Sequence, residues 1–154
     1  MQDWRSSALV VVLLLWAGIL FGVSFLATPV KFSAPSLTLP VAIEVGRSTF
    51  ALLNRVELGC AAISVGLLIV GASRTLSVCL SAGVAVLGVL LETFWLLPVL
   101  DQRAQAVIDG AMPTASSLHD VYIGIDLAKL AGLLVAAVVL LGPDKALHHE
   151  ARLS

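Results

Sequence analysis

Four long apolar runs, separated by short stretches rich in proline and charge, set the pattern of this chain. The first, Ala8 to Ala27, carries no charged residue and has about the 20 residues needed to cross a hydrocarbon core. Arg5 precedes it, which raises a signal peptide. The apolar stretch, however, exceeds the roughly 7–15 residues of such a region, and Phe25 stands where a cleavage site wants a small residue. It reads as a retained first helix, with Gly18 and Gly22 forming a close-packing step.

Pro29, Pro35 and Pro40 follow, and helix interiors reject proline, so residues 28–47 read as a loop or surface-lying segment. The second span is expected at 48–71, with the part before about Phe50 either protruding or bending at Gly46 as a hinge, since a continuous helix from Val41 would outrun a bilayer core. The third is expected at 76–97, with Pro98 ending it or sitting just beyond it. Residues 98–117 then form a short amphipathic helix and loop. The fourth span is expected at 118–141, entered through a serine cap at Ser116 or Ser117 and stopped by Gly142-Pro143. The fold class is an all-α membrane protein, an antiparallel four-helix transmembrane bundle forming a single domain over residues 1–154.

Polar residues inside the apolar runs carry the remaining information. His119, Tyr122, Asp126 and Lys129 span only about 80° of arc on the last helix. Beside them, Gly124, Ala128, Gly132 and Ala136 recur every fourth residue as a packing ridge. Ile123, Leu127, Leu130 and Leu134 are left to face lipid. On the third run, Ser81, Ala85 and Gly88 make one small-residue stripe leading to Glu92. On the second, Glu44, Arg47, Asn54 and Arg55 share about a 100° arc, with Glu57 outside its edge. An ionisable group at mid-bilayer costs about 2.5–3.5 kcal/mol on insertion scales, so such groups are paired or functional.

Chain direction puts these residues in one half of the membrane, away from the termini. The candidate site is therefore Arg47, Asn54, Arg55, Glu57, Glu92, His119, Tyr122, Asp126 and Lys129. It is either a pocket that binds or passes a small polar solute or ion, or a network of ion pairs that fixes helix register in a structural or accessory subunit. Glu44, Glu57, Glu92 and Asp126 against Arg47, Arg55 and Lys129 come close to balance, as mutual pairing requires. Glu92 is expected to reach Lys129 across two helices, and Asp126 to pair with Lys129 within its own.

Composition agrees. Of 154 residues, 59% are hydrophobic and 12% charged, against about 25% charged in soluble domains. Nine basic and ten acidic residues leave no nucleic-acid footprint. Cys60 and Cys79 form no closely spaced pair and read as buried small hydrophobes. His119, Glu92 and Asp126 are the one trio that could approach a metal, and they lack the usual His and Cys partners, so no metal or cofactor is expected. Trp16 and Trp95 read as packing residues and Trp4 as an interfacial anchor. Hydrolase, Walker-loop and dinucleotide motifs are missing, and nothing supports an enzyme beyond His119 and Glu92 as a conceivable acid and base. The bilayer is the expected partner, with a second membrane protein or copy of the chain as a further candidate. Arg5, Arg74, Lys145 and Arg152 favour cytoplasmic termini in a bacterial inner membrane.

Four segments carry a family resemblance. They are Phe21-Gly-Val-Ser-Phe-Leu-Ala-Thr-Pro-Val-Lys-Phe, Gly46-Arg-Ser-Thr-Phe, Asn54-Arg-Val-Glu and the late Leu118-His119. Together they resemble small four-helix bacterial membrane proteins with a domain of unknown function, related to a eukaryotic transmembrane family linked with cisplatin resistance. The resemblance implies a proline after the first helix and a histidine opening the last, matched by Pro29 and His119. The asparagine it implies further along that span is absent, and Asp126 and Lys129 stand in that region. It implies no specific activity.

Overall fold

A computed structural model of the chain describes residues 4–31, 33–73, 75–111 and 116–142, and among these all regular structure is helical. Four helical rods account for it: α1, Trp4–Lys31; α2, Leu39–Ile69; α3, Leu76–Ile108; and α4, Leu118–Leu141. Each is long and apolar enough to cross a membrane. Their outward faces expose large apolar side chains such as Leu15, Leu52, Leu80 and Leu127, as a lipid-facing surface must. The chain is a multi-pass membrane protein.

Two proline expectations are corrected. Residues 28–31 are helical despite Pro29, and α3 runs through Pro98 to Ile108 rather than stopping there. The reason is the same in both places. A proline ring clashes with the carbonyl four residues earlier, which is Phe25 for Pro29 and Phe94 for Pro98. Wider π-helical turns, Phe21–Ala27 and Glu92–Leu96, cover both carbonyls and let the rod continue. Helix α2 is not interrupted at Gly46. The 31 residues of α2 are one helix, and Gly46 instead accommodates a neighbour, since a Cβ there would lie 2.7 Å from Lys31 Nζ. The fourth helix has the expected bounds. Ser117 is its cap position but makes no side-chain capping bond, and the Leu118 N–H bonds Ser116 Oγ instead.

Contacts between neighbours run in opposite chain order. Along α1 and α2, Arg5 donates to the Val70 carbonyl, Ser6 to that of Ala72, and Trp16 meets Glu57 further up. Along α3 and α4, Ser81 lies against Gly132, and Gly88 against Ile125 and Lys129. The α3–α4 interface is the most extensive, and small residues make it so: Ala82, Ala85, Ala136 and Ala137 are buried with Gly88 and Gly132. Ser81, Gly88 and Glu92 of the small-residue stripe thus face α4.

The ridge on α4 is shorter than its spacing suggests, because Gly124 and Ala128 are exposed and only Gly132 and Ala136 pack. Gly18 and Gly22 likewise have open space beside them. Cys79 and Trp95 face outward rather than into the core, and Cys60 is half-buried. Of the side chains expected to face lipid, Ile123, Leu127 and Leu134 are exposed, whereas Leu130 packs against the core.

Candidate functional site

Among the described residues, the interior of the bundle contains one ammonium group and three carboxylates. Lys129 is 0% exposed, as is Glu92, while Glu57 and Asp126 are each 1% exposed. Lys129 Nζ donates to both Glu57 carboxylate oxygens at 2.9 Å and to Glu92 Oε2 at 2.5 Å. Asp126 Oδ1 stands 2.8 Å from the same nitrogen. Four helices build this arrangement. Helix α4 brings Asp126 and Lys129 one turn apart on its buried stripe, α2 brings Glu57, and the π turn of α3 brings Glu92. Helix α1 brings Trp16, whose indole N–H donates to Glu57 Oε1 at 2.9 Å. Glycine makes room: a Cβ on Gly88 would lie 2.6 Å from Lys129 Cγ, so the lysine stem crosses α3 where no side chain stands.

The donor count decides which carboxylate is left over. An ammonium has three N–H groups. Three acceptor oxygens, two on Glu57 and one on Glu92, face them in hydrogen-bonding geometry. Asp126 is close enough for an ion pair yet poorly aligned for a hydrogen bond, so both of its oxygens remain unfilled as acceptors, as does Glu92 Oε1. With every group ionised the cluster holds three negative charges against one positive.

Asp126 lines a cavity of about 240 Å³ with Ser24, Phe50, His119 and Tyr122. The Ser24 hydroxyl is also buried without a hydrogen-bond partner. A larger, half-open cavity of about 650 Å³ lies on the same side of the bundle, and Thr28, Phe50, His119 and Tyr122 line both. Tyr122, 3% exposed, packs edge-on against Phe50 with ring centres 5.1 Å apart, so these two side chains stand between the cavities. Asn54 lines the larger one. Its amide donates to Thr93 Oγ1 at 3.0 Å, and that hydroxyl lies 2.6 Å from the Val89 carbonyl inside α3.

The nine residues singled out from the sequence therefore divide. Glu57, Glu92, Asp126 and Lys129 meet at the cluster, with Tyr122 at its edge. Arg47, Asn54, Arg55 and His119 belong to the larger cavity. Arg47 pairs with Asp101 at 2.7 Å and bonds Gln105 at 2.6 Å, and Arg55 is exposed. The near-balance of charge expected across all of these residues fails at the centre, because neither arginine reaches it.

Trp16 and Thr93 were missed by sequence reasoning, as were Ser24 and Phe50 at the cavities. A signal existed for Trp16. Tryptophan favours membrane interfaces, and one in the middle of a span needs an acceptor for its N–H. Among the described residues no group of three His, Cys, Asp or Glu side chains is placed to hold a metal ion. No family model, curated protein or solved structure matches the chain.

Proposed function

We propose that the protein binds an exchangeable small cation, a proton in the simplest case, at the Lys129 cluster, and admits it through the smaller cavity that Asp126 lines. One observation carries this reading. The Asp126 carboxylate is buried, has unfilled acceptors and lines a cavity, in a cluster with surplus negative charge. Uncompensated charge inside a membrane is expensive, and intramembrane carboxylates with an access path serve as ion and proton sites. Binding at Asp126 relieves the surplus without breaking the bonds that Lys129 makes to Glu57 and Glu92.

A second reading has its own support. Lys129 is wholly enclosed and its donors are satisfied, which suits a permanent lock between helices. The two readings differ in exchange. Purified protein in neutral detergent is to be melted across pH 5–9, with and without sodium or potassium. Under the first reading the midpoint depends on pH or on the cation, and Asp126→Asn removes that dependence while leaving yield intact. A midpoint independent of both, in wild type and variant alike, leaves only the lock.

We further propose that the termini lie on the cytoplasmic side of a bacterial inner membrane, following the positive residues near them. The cavities would then open outward. Reporter fusions at the C-terminus test this, and a reporter active only outside the cytoplasm would reverse it.

A further inference from the structure

The larger cavity has a character of its own. Lys31, Arg47, Arg55 and Arg103 all line it, and Asp101 is the one acidic side chain among its described lining residues. Asp101 is engaged by Arg47, which Gln105 also holds, so one guanidinium is fixed at the rim. Lys31 Nζ sits 5.6 Å from the centre of the Phe50 ring. The rest of the lining is mainly apolar, with Ala42, Leu97 and Pro98 among it. A volume of about 650 Å³ falls within the range of small-molecule sites, roughly 300–1,000 Å³. Four cationic side chains around an apolar wall make a poor seat for a cation or a sugar. They suit a molecule with an apolar body and an anionic head, because guanidinium groups match carboxylate and phosphate oxygens in pairs.

We propose that this cavity binds an amphiphilic anion, a carboxylate or phosphate head on an apolar body. Arg55 and Arg103 meet the head, and Phe50 and Leu97 meet the body. The residues are distinct from the Lys129 cluster, so this site stands or falls independently of ion binding there. Two sources supply such a molecule, an anionic phospholipid of the surrounding bilayer or a free organic acid.

The test uses the full chain, purified in neutral detergent, with native mass spectrometry and equilibrium titration as readouts. The probes are phosphatidylglycerol against phosphatidylcholine, and decanoate against decanol. Preference for the charged member of either pair by about tenfold or more, which is about 1.4 kcal/mol, supports the proposal. Phosphatidylglycerol alone identifies a lipid site, and decanoate alone a site for free acids. In the double variant Arg55→Gln/Arg103→Gln the preference should fall to near unity, whereas Arg5→Gln at the far end of the bundle should keep it. Equal binding of the charged and neutral probes by the wild type overturns the proposal, as does a preference that survives the double variant. If the double variant does not fold, the wild-type comparison of charged and neutral probes decides alone.

Discussion

Lys129 and Asp126 share a cluster but should respond to substitution in opposite ways. Removing the lysine leaves three buried carboxylates facing one another, and loss of one partner of a buried pair costs about 3–5 kcal/mol. Lys129→Met is therefore expected to abolish accumulation of folded protein, as measured by yield of the monodisperse peak in size exclusion. Lys129→Met/Glu57→Gln should recover part of it, because one of the stranded charges is gone. Asp126→Asn should be tolerated, with an unfolding midpoint equal to the wild type or higher, since its carboxylate satisfies no donor in good geometry. Midpoints in the reverse order would show that Asp126, not Glu57, anchors the lysine. Gly88 is constrained by the same side chain. Gly88→Ala drives a methyl group into Lys129 Cγ and Cδ, and a loss of about 1–3 kcal/mol in chemical unfolding is expected, typical of overpacking.

At the level of elements, the two π turns separate what periodicity could read from what it could not. The polar stripe of α4 lay on an undisturbed helix, and an arc at 100° per residue puts Tyr122, Asp126 and Lys129 on one buried face, while His119 in the same arc is exposed. The stripe from Ser81 to Glu92 ends where the α3 π turn begins, so it too was legible, and with it the Glu92–Lys129 contact. Beyond Glu92 the phase of the helix changes, and a proline that seems to end the span merely follows the widened turn. Glu57 lay outside the arc of its polar neighbours because it faces a different partner, the α1 indole, while Arg47 faces the far end of α3. Nothing in the spacing of α2 alone distinguishes those two directions.

Thr93 in the α3 π turn ties α2 to α3 through Asn54, which is 8% exposed. Thr93→Val leaves that amide without its partner and should cost about 1–3 kcal/mol. Thr93→Ser should be near neutral. A loss from Thr93→Ser with none from Thr93→Val would place the effect in the methyl group rather than the hydrogen bond.

For the whole molecule, the bundle is a membrane-spanning frame with a carboxylate-rich centre and a cationic vestibule on one side of it. Tyr122 and Phe50 stand between the two sites, and Trp16 extends the inner one to α1. The chain has three tryptophans, of which Trp4 and Trp95 are exposed and Trp16 is bonded to the cluster. The variant Trp4→Phe/Trp95→Phe therefore turns Trp16 into a single optical reporter of the charge around Glu57. Its emission is to be titrated with protons and with sodium or potassium in neutral nanodiscs, alongside the same protein carrying Asp126→Asn. Exchange at the cluster predicts a saturable change in the reporter that Asp126→Asn shifts or abolishes. A flat titration in both proteins would contradict ion binding and leave the cluster as a permanent tie between four helices.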